Sequence, residues 1–236
     1  MVRCFTQEEI RQLLHNKFVV ILGDSIQRSV YKDLVVHLQR NNFATNAQLK
    51  SKGELSFEGD VLVEGGKYGE LTNGTDYREV RQYRTDHHLV RFYFLTRVYS
   101  EYLESILNDF VNGPQPDVII INSCVWDVSR YGSKPMKQYT QKLDKLFTRL
   151  GDTILSECLV IWNMAMPLGK KISGGFLVPE SQVQKELAKF PFEQGTKPSP
   201  LARVSVNSDF DSRSVIVNLK VTFPVVAEAD TLERFI

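Results

Sequence analysis

Five apolar residues, Phe18 to Leu22, end abruptly at Gly23-Asp24-Ser25, and helical spacing begins at Ile26. A short, nearly continuous apolar run of this kind suits a central strand covered on both faces. Gly23 permits a sharp exit from that strand. The corner therefore places Ser25 at the carboxyl end of a buried strand and at the positive end of a helix.

The same grammar recurs along the chain. His88 to Leu95 alternates in the manner of a strand, and Val118 to Asn122 and Cys158 to Asn163 are further apolar strands. Helical spacing runs through Ile26 to Gln39, Thr96 to Phe110 and Pro135 to Leu150, with Gly113-Pro114 and Gly151 as stops. Thr6 and Glu9 fit a capping box for a short helix from Thr6 to Asn16. Strand and helix thus alternate from residue 17 to residue 163. This predicts an α/β fold with a mostly parallel sheet and helices on both faces.

Ile26, Val30, Leu34 and Leu38 form the expected apolar stripe of the second helix, which leaves Arg28, Lys32 and Gln39 to its surface. Ala47 to Lys52 has helical character. The glycines between Phe57 and Leu71 predict hairpins or loops there, and Ser123 to Lys134 reads as a loop. Beyond Leu168 the pattern weakens. A short helix is expected from Glu180 to Phe190, and prolines 191, 198 and 200 punctuate a polar tract. Ser214 to Phe223 has the alternation of one strand. The expected organisation is one domain over residues 1–190 and a loosely packed or disordered segment over 191–236.

The chain has 236 residues, 42% of them hydrophobic, so a single core can hold the fold without metal or disulfide. A net charge of +1 and the absence of a basic block give no indication of a nucleic-acid partner. Cys4, Cys124 and Cys158 form neither a disulfide framework nor a zinc pattern, and no cofactor or metal is expected. The segment Met1 to Glu9 lacks the apolar core of a secretory signal. No stretch approaches the roughly 18 apolar residues of a membrane span. A cytoplasmic or nuclear setting is expected. Nothing in the sequence fixes an oligomeric state.

Ligands of open α/β sheets bind beyond the carboxyl ends of the strands. Three marked loops fall there: Gly23-Asp24-Ser25, Asn122 to Asp127, and Asn163 to Pro167. Ser25 is the candidate nucleophile. Amides at the helix start and the Asn122 side chain are candidate oxyanion donors, and each such donor typically contributes about 3–4 kcal/mol to barrier lowering. Other readings stand beside these. Ser25 and Asp24 also suit a helix cap, and Asn122 suits a turn. Asp127 can cap its loop or pair with Arg130, Trp126 and Cys124 can simply pack, and Asn163 can pack within its loop. A phosphate-binding loop fits less well, because the corner lacks the glycines and the lysine which that chemistry needs.

The four histidines, residues 15, 37, 87 and 88, offer no obvious base. His37 falls about three turns beyond Ser25, roughly 18 Å along the helix, too far to take its proton. His87 and His88 open their strand and His15 ends the first helix, so all three belong to the opposite end of the sheet.

The corner Gly23-Asp24-Ser25, with an asparagine after a later strand, resembles the GDSL or SGNH hydrolases. The strings Lys17 to Arg28, Arg91 to Tyr99, Asn122 to Gly132 and Trp162 to Gly169 are similar to those of the PC-esterase family. The likeness covers about residues 7–180. It implies a flavodoxin-like SGNH fold and an acyl esterase activity on small-molecule or glycan-type esters, with Ser25 as nucleophile and Asn122 at the oxyanion position. Gly23, Asp24, Trp126, Asp127 and Asn163 would line the site. The family's acid–histidine element should follow the Trp162 strand, yet no histidine occurs after His88. The expectation is a divergent or truncated carboxyl terminus, of the kind alternative splicing produces, and weak or absent activity. The alternative is a non-catalytic binding or interaction module on an esterase scaffold.

Overall fold

The apolar run after Asn16 becomes β1 (Lys17–Gly23), buried at every position from Phe18 onward. The computed structural model describes residues 5–67, 74–123, 125–131 and 135–163. Among them the chain passes from α1 (Gln7–Leu13) through β1 to α2 (Ser25–Gln39), α3 (Asn46–Lys50), β2 (Val61–Gly65) and β3 (Glu79–Arg84). It continues as β4 (His88–Phe94), α4 (Glu101–Asn112), β5 (Val118–Ile121), α5 (Val125–Arg130), α6 (Pro135–Thr153) and β6 (Leu159–Trp162). The readings of Cys124 and of the chain beyond Asn163, including the Glu180 helix, the Ser214 strand and the domain division at 190, lie outside the described residues.

The six strands form one sheet in the order β2-β3-β4-β1-β5-β6. β4, β1, β5 and β6 are parallel, while β2 and β3 join as antiparallel partners on the β4 side. The fold is therefore α/β with a mostly parallel sheet. Alternate β1 residues feed two cores, as a period of two requires. Val20 and Leu22 pack with Leu103, Ile106, Leu107 and Phe110 of α4 and Leu146 of α6. Val19 and Ile21 pack with Tyr31, Val35 and Val36 of α2 and with Phe92 and Phe94 of β4.

Thr6 and Glu9 make the expected capping box at α1, and Pro135 opens α6. Three expectations are corrected and one element is added. The strand β2 lies in the stretch where hairpins or loops are expected, but its antiparallel partner β3, which joins the pair to the sheet, is an addition to the expected elements, because the alternation of β3 is carried by charged residues. The stretch from Ser123 to Lys134 contains a helix, α5, rather than only a loop. Helix α6 runs past Gly151 to Thr153, because a lone glycine lowers helix propensity without breaking the ladder.

The third correction concerns α2. Its buried face carries Arg28 and Lys32, 5% and 0% exposed, rather than leaving them at the surface. Both cations are covered because partners wait for them: Arg28 Nη1 donates to Glu79 at 3.1 Å, and Lys32 Nζ pairs with Glu54 and donates to the Ser51 carbonyl at 2.7 Å. Buried charges survive when paired in this way. Helix periodicity cannot reveal it, because the partners come from β3 and from the segment before β2.

Candidate functional site

Counted among the parallel strands alone, β1 is first, β4 second, β5 third and β6 fourth. Across the sheet they run second, first, third, fourth. The strand order reverses at β1/β5, and the crevice beyond their carboxyl ends is the topological switch point at which such sheets bind ligands. Gly23-Asp24-Ser25 leaves β1 there and Asn122-Ser123 leaves β5.

Gly23 is required by close approach. A Cβ on it would lie 2.4 Å from Gln27 Cγ and 2.7 Å from the Asn122 carbonyl oxygen, and its φ is +153°. Its own carbonyl accepts from Leu95 N at 2.7 Å, which ties the corner to the segment after β4. Asp24 is the N-cap of α2, its Oδ1 accepting from Ile26 N at 2.9 Å. Burial pushes its carboxyl up to about 6, against the opposing pull of that amide and of Arg28.

Ser25 is the first helical residue and is half-buried. Its carbonyl accepts from Ser29 Oγ at 3.1 Å. Its hydroxyl makes no hydrogen bond to any other described residue. The capping task therefore falls to Asp24.

Asn122 is 3% exposed, and its Nδ2 donates to the Asn163 carbonyl, so these two predicted site residues meet. One amide hydrogen of Asn122 is thereby committed. Trp126 is buried and stands edge-to-face on Phe94, with 6.0 Å between ring centroids. Asp127 Oδ2 accepts from Val98 N at 2.8 Å and from Ser123 Oγ, and burial pushes its carboxyl up to about 6. Tyr139 OH donates to the Ser123 carbonyl at 2.8 Å.

Trp126 and Asp127 follow β5, yet both reach residues at the end of β4. Since β1 lies between those strands, α5 passes across the carboxyl end of β1 and walls the Ser25 corner. Sequence reasoning missed Gln27 as part of this construction. Its side chain is fully buried against Gly23, and neither atom of its amide has a hydrogen-bond partner among the described residues. Only its place two residues after Ser25 could have singled it out.

The histidines lie away from the corner. His37 Nε2 is 3.0 Å from the Phe5 carbonyl and its Nδ1 3.2 Å from that of Asn42, with the ring stacked on Phe43. His88 contacts the Arg11 carbonyl and Thr85 Oγ1, both at 3.1 Å, and His15 stacks on His87 at 4.6 Å. These three sit at the amino ends of β1 and β4. Among the described residues no group of three or more His, Cys, Asp or Glu side chains is placed to hold a metal ion. No described helix is long and apolar enough to cross a membrane.

The fold and the corner define an α/β protein with a doubly covered, mostly parallel sheet and a serine at its switch point. No family model matches the chain. Human PC-esterase domain-containing protein 1A is 63% identical over 180 residues, which is 75% of this chain and 40% of that protein. The mouse protein of the same name is 62% identical over an equal span. Human PC-esterase domain-containing protein 1B is 53% identical over 196 residues, covering 80% of this chain and 45% of that protein. The chain is a relative of the PC-esterase family, and it spans less than half the length of the curated relatives it matches.

Proposed function

We propose that this is an SGNH-type acyl esterase scaffold in which Ser25 is the nucleophile. In that reaction the Ser25 oxygen attacks the ester carbonyl and gives up its proton. The carbonyl oxygen takes the negative charge, the alcohol leaves with a proton, and water then releases the acid from the acyl-serine. The α2 amides and the uncommitted hydrogen of Asn122 are the oxyanion donors. Gly23 and Asp24 shape the corner, and Trp126, Asp127 and Asn163 wall it. Substrates are esters, in keeping with the relatives' names, and the resemblance to SGNH hydrolases points to small or glycan-type ones. The observation that carries this reading is Ser25, half-buried at the switch point, with its hydroxyl relieved of capping by Asp24.

Activity in this chain is weak or absent. None of its four histidines reaches Ser25, and a serine nucleophile without its base loses several orders of magnitude in rate. The test is p-nitrophenyl acetate turnover by the wild type and by Ser25→Ala. The expected result is a slow rate with Ser25→Ala at the solution background. Robust turnover abolished by the substitution would refute the inactivity while supporting the nucleophile.

The second reading is a binding module on the same scaffold. It is favoured by the placement of His15, His87 and His88 at the far end of the sheet and of His37 against the Phe5 and Asn42 carbonyls. It predicts that a fluorophosphonate probe leaves Ser25 unlabelled, while a ligand still raises the melting temperature.

A further inference from the structure

The segment that follows β4 runs beside the Ser25 corner, held there by the bond from Leu95 N to the Gly23 carbonyl and by the bond from Val98 N to Asp127. It carries Arg97, whose guanidinium has no carboxylate partner among the described residues; Arg91 shares that trait, but its Nε and Nη1 are taken up by Gln82 and Tyr93 on the sheet, away from the Ser25 corner. Arg28 pairs with Glu79, Arg81 with Asp60 and Arg149 with Glu104. Arg97 is half-buried and lies over the Tyr131 ring at 4.1 Å. Its one bond to a described side chain, from Nη2 to Gln138 Oε1 at 3.2 Å, is to a neutral amide. Its Nε is buried with no hydrogen-bond partner among the described residues. None of the described carboxylates forms an ion pair with it.

A second cation stands nearby. Lys142 Nζ donates to the Tyr99 carbonyl at 2.9 Å, again a neutral group, and partial burial together with the charge of Arg97 pulls its pKa below the ordinary lysine range. The neighbouring carboxylate, Asp127, attracts both cations but sets one negative charge against two positive ones, and its Oδ2 is spent on Val98 N and Ser123 Oγ. Two partly desolvated cations facing a single carboxylate leave one positive charge that a second anion can balance. A planar guanidinium stacked on a tyrosine is oriented in advance to accept one.

We propose that Arg97, Tyr131 and Lys142 form a binding subsite for an oxyanion group, a carboxylate or a sulfate, carried by an acidic substrate. The ester would then lie toward Ser25 and the acidic group toward α6. The place of this subsite beside a nucleophile rests on the esterase reading, but the binding itself does not need Ser25 to react.

The experiment is thermal-shift titration of the whole chain at matched ionic strength with sodium glucuronate, sodium sulfate, glucose and sodium chloride. A saturable stabilisation by glucuronate or sulfate at low millimolar concentration is expected, with none from glucose or chloride. Response to glucuronate alone assigns a carboxylate, and response to sulfate alone a sulfate. Arg97→Gln should weaken the apparent affinity about tenfold or more, as loss of a charge-assisted bond does. Arg97→Lys should fall between the two. Should the Arg97 variants fail to fold, Lys142→Met removes the second cation from a helix surface and should weaken binding in the same direction. Ser25→Ala should bind like wild type. An absent response to both anions, or an equal one in Arg97→Gln and Lys142→Met, would overturn the subsite. Turnover of p-nitrophenyl acetate that Ser25→Ala leaves unchanged, with anion binding intact, would remove the esterase reading and leave the subsite standing.

Discussion

Arg81 grips Asp60 through two parallel bonds, Nε to Oδ2 and Nη2 to Oδ1, each 2.8 Å, with both side chains sealed from solvent. The pair fastens three pieces of chain. Arg81 Nη1 also donates to the Glu54 carbonyl at 2.8 Å, and Asp60 accepts from Tyr31 OH of α2 at 2.9 Å. Glu79, 3.3 Å from Arg81 Nη1, accepts in turn from Arg28 and from Tyr77 OH. A buried network thus leads from β3 to the helix that carries Ser25. Arg81→Met strands Asp60 as a buried charge with no cation, while Glu79 keeps Arg28 and Tyr77, and should cost about 3–5 kcal/mol in urea unfolding. Arg81→Met with Asp60→Leu should cost less than the sum of the two single losses, because the second change removes the stranded charge. Strict additivity would show that the pair does not act as a unit.

The corner itself should be intolerant of any side chain at Gly23. Gln27 could shift away from a new Cβ, but the Asn122 carbonyl at 2.7 Å is backbone held in the sheet ladder, where Asn122 N donates to the Leu22 carbonyl at 3.0 Å. Gly23→Ala is expected to lower stability by about 1–3 kcal/mol, the usual range for overpacking a closed site. Chemical denaturation reads this directly. An unchanged midpoint would mean that β1 and β5 separate more easily than their pairing implies.

The parallel core was legible because each of its strands is an apolar run followed by a helix-period segment, and short crossovers leave few topologies open. The positions of Ser25 and Asn122 at strand ends were legible for the same reason. Arg28 and Lys32 were misplaced because a charged residue reads as surface until its partner is known, and Glu79 and Glu54 are far from them in sequence. β3 was missed on similar grounds, because Glu79 and Arg81 point inward into that charge network. Helix α5 is only six residues long and too short to show a period, yet it brings Trp126 and Asp127 across β1.

Asp127 should give stability a pH dependence of unusual sign. Its carboxyl titrates near 6 in the folded state, raised by burial from 3.8. The folded state therefore binds the proton more tightly than the unfolded chain does. Its contribution is most favourable below about pH 4 and is lost as pH rises through 6. Asp127→Asn keeps an oxygen to accept from Val98 N and Ser123 Oγ but cannot ionise. The stability gap between wild type and Asp127→Asn should shift against wild type as pH goes from 4 to 7, on the order of a few kcal/mol. Taking the difference cancels groups of opposite sign, such as Glu54 and Asp117, whose carboxyls are held below the ordinary range by Lys32 and Lys17. Parallel curves for the two proteins would place the Asp127 titration outside that window.

Ser25 and Asp24 should separate when each is removed, and the separation bears on what the serine is for. If Ser25 were a cap, its loss would cost about 1 kcal/mol, as cap removal generally does. In this fold the cap is Asp24, whose Oδ1 holds Ile26 N at 2.9 Å, while the Ser25 hydroxyl bonds no described residue. Ser25→Ala should therefore leave stability within about 0.5 kcal/mol of wild type, the range for positions without a structural task. Alanine also suits a helix interior better than serine, which favours the upper side of that window. Asp24→Asn keeps the capping oxygen and sheds a buried charge, so it should not destabilise at pH 7. Asp24→Ala removes the oxygen as well and should be the less stable of the two Asp24 variants. A serine whose removal the fold does not notice, one bond from an aspartate whose oxygen the helix needs, occupies its position for chemistry or recognition rather than for architecture. A loss of 1 kcal/mol or more in Ser25→Ala would return it to the role of a cap.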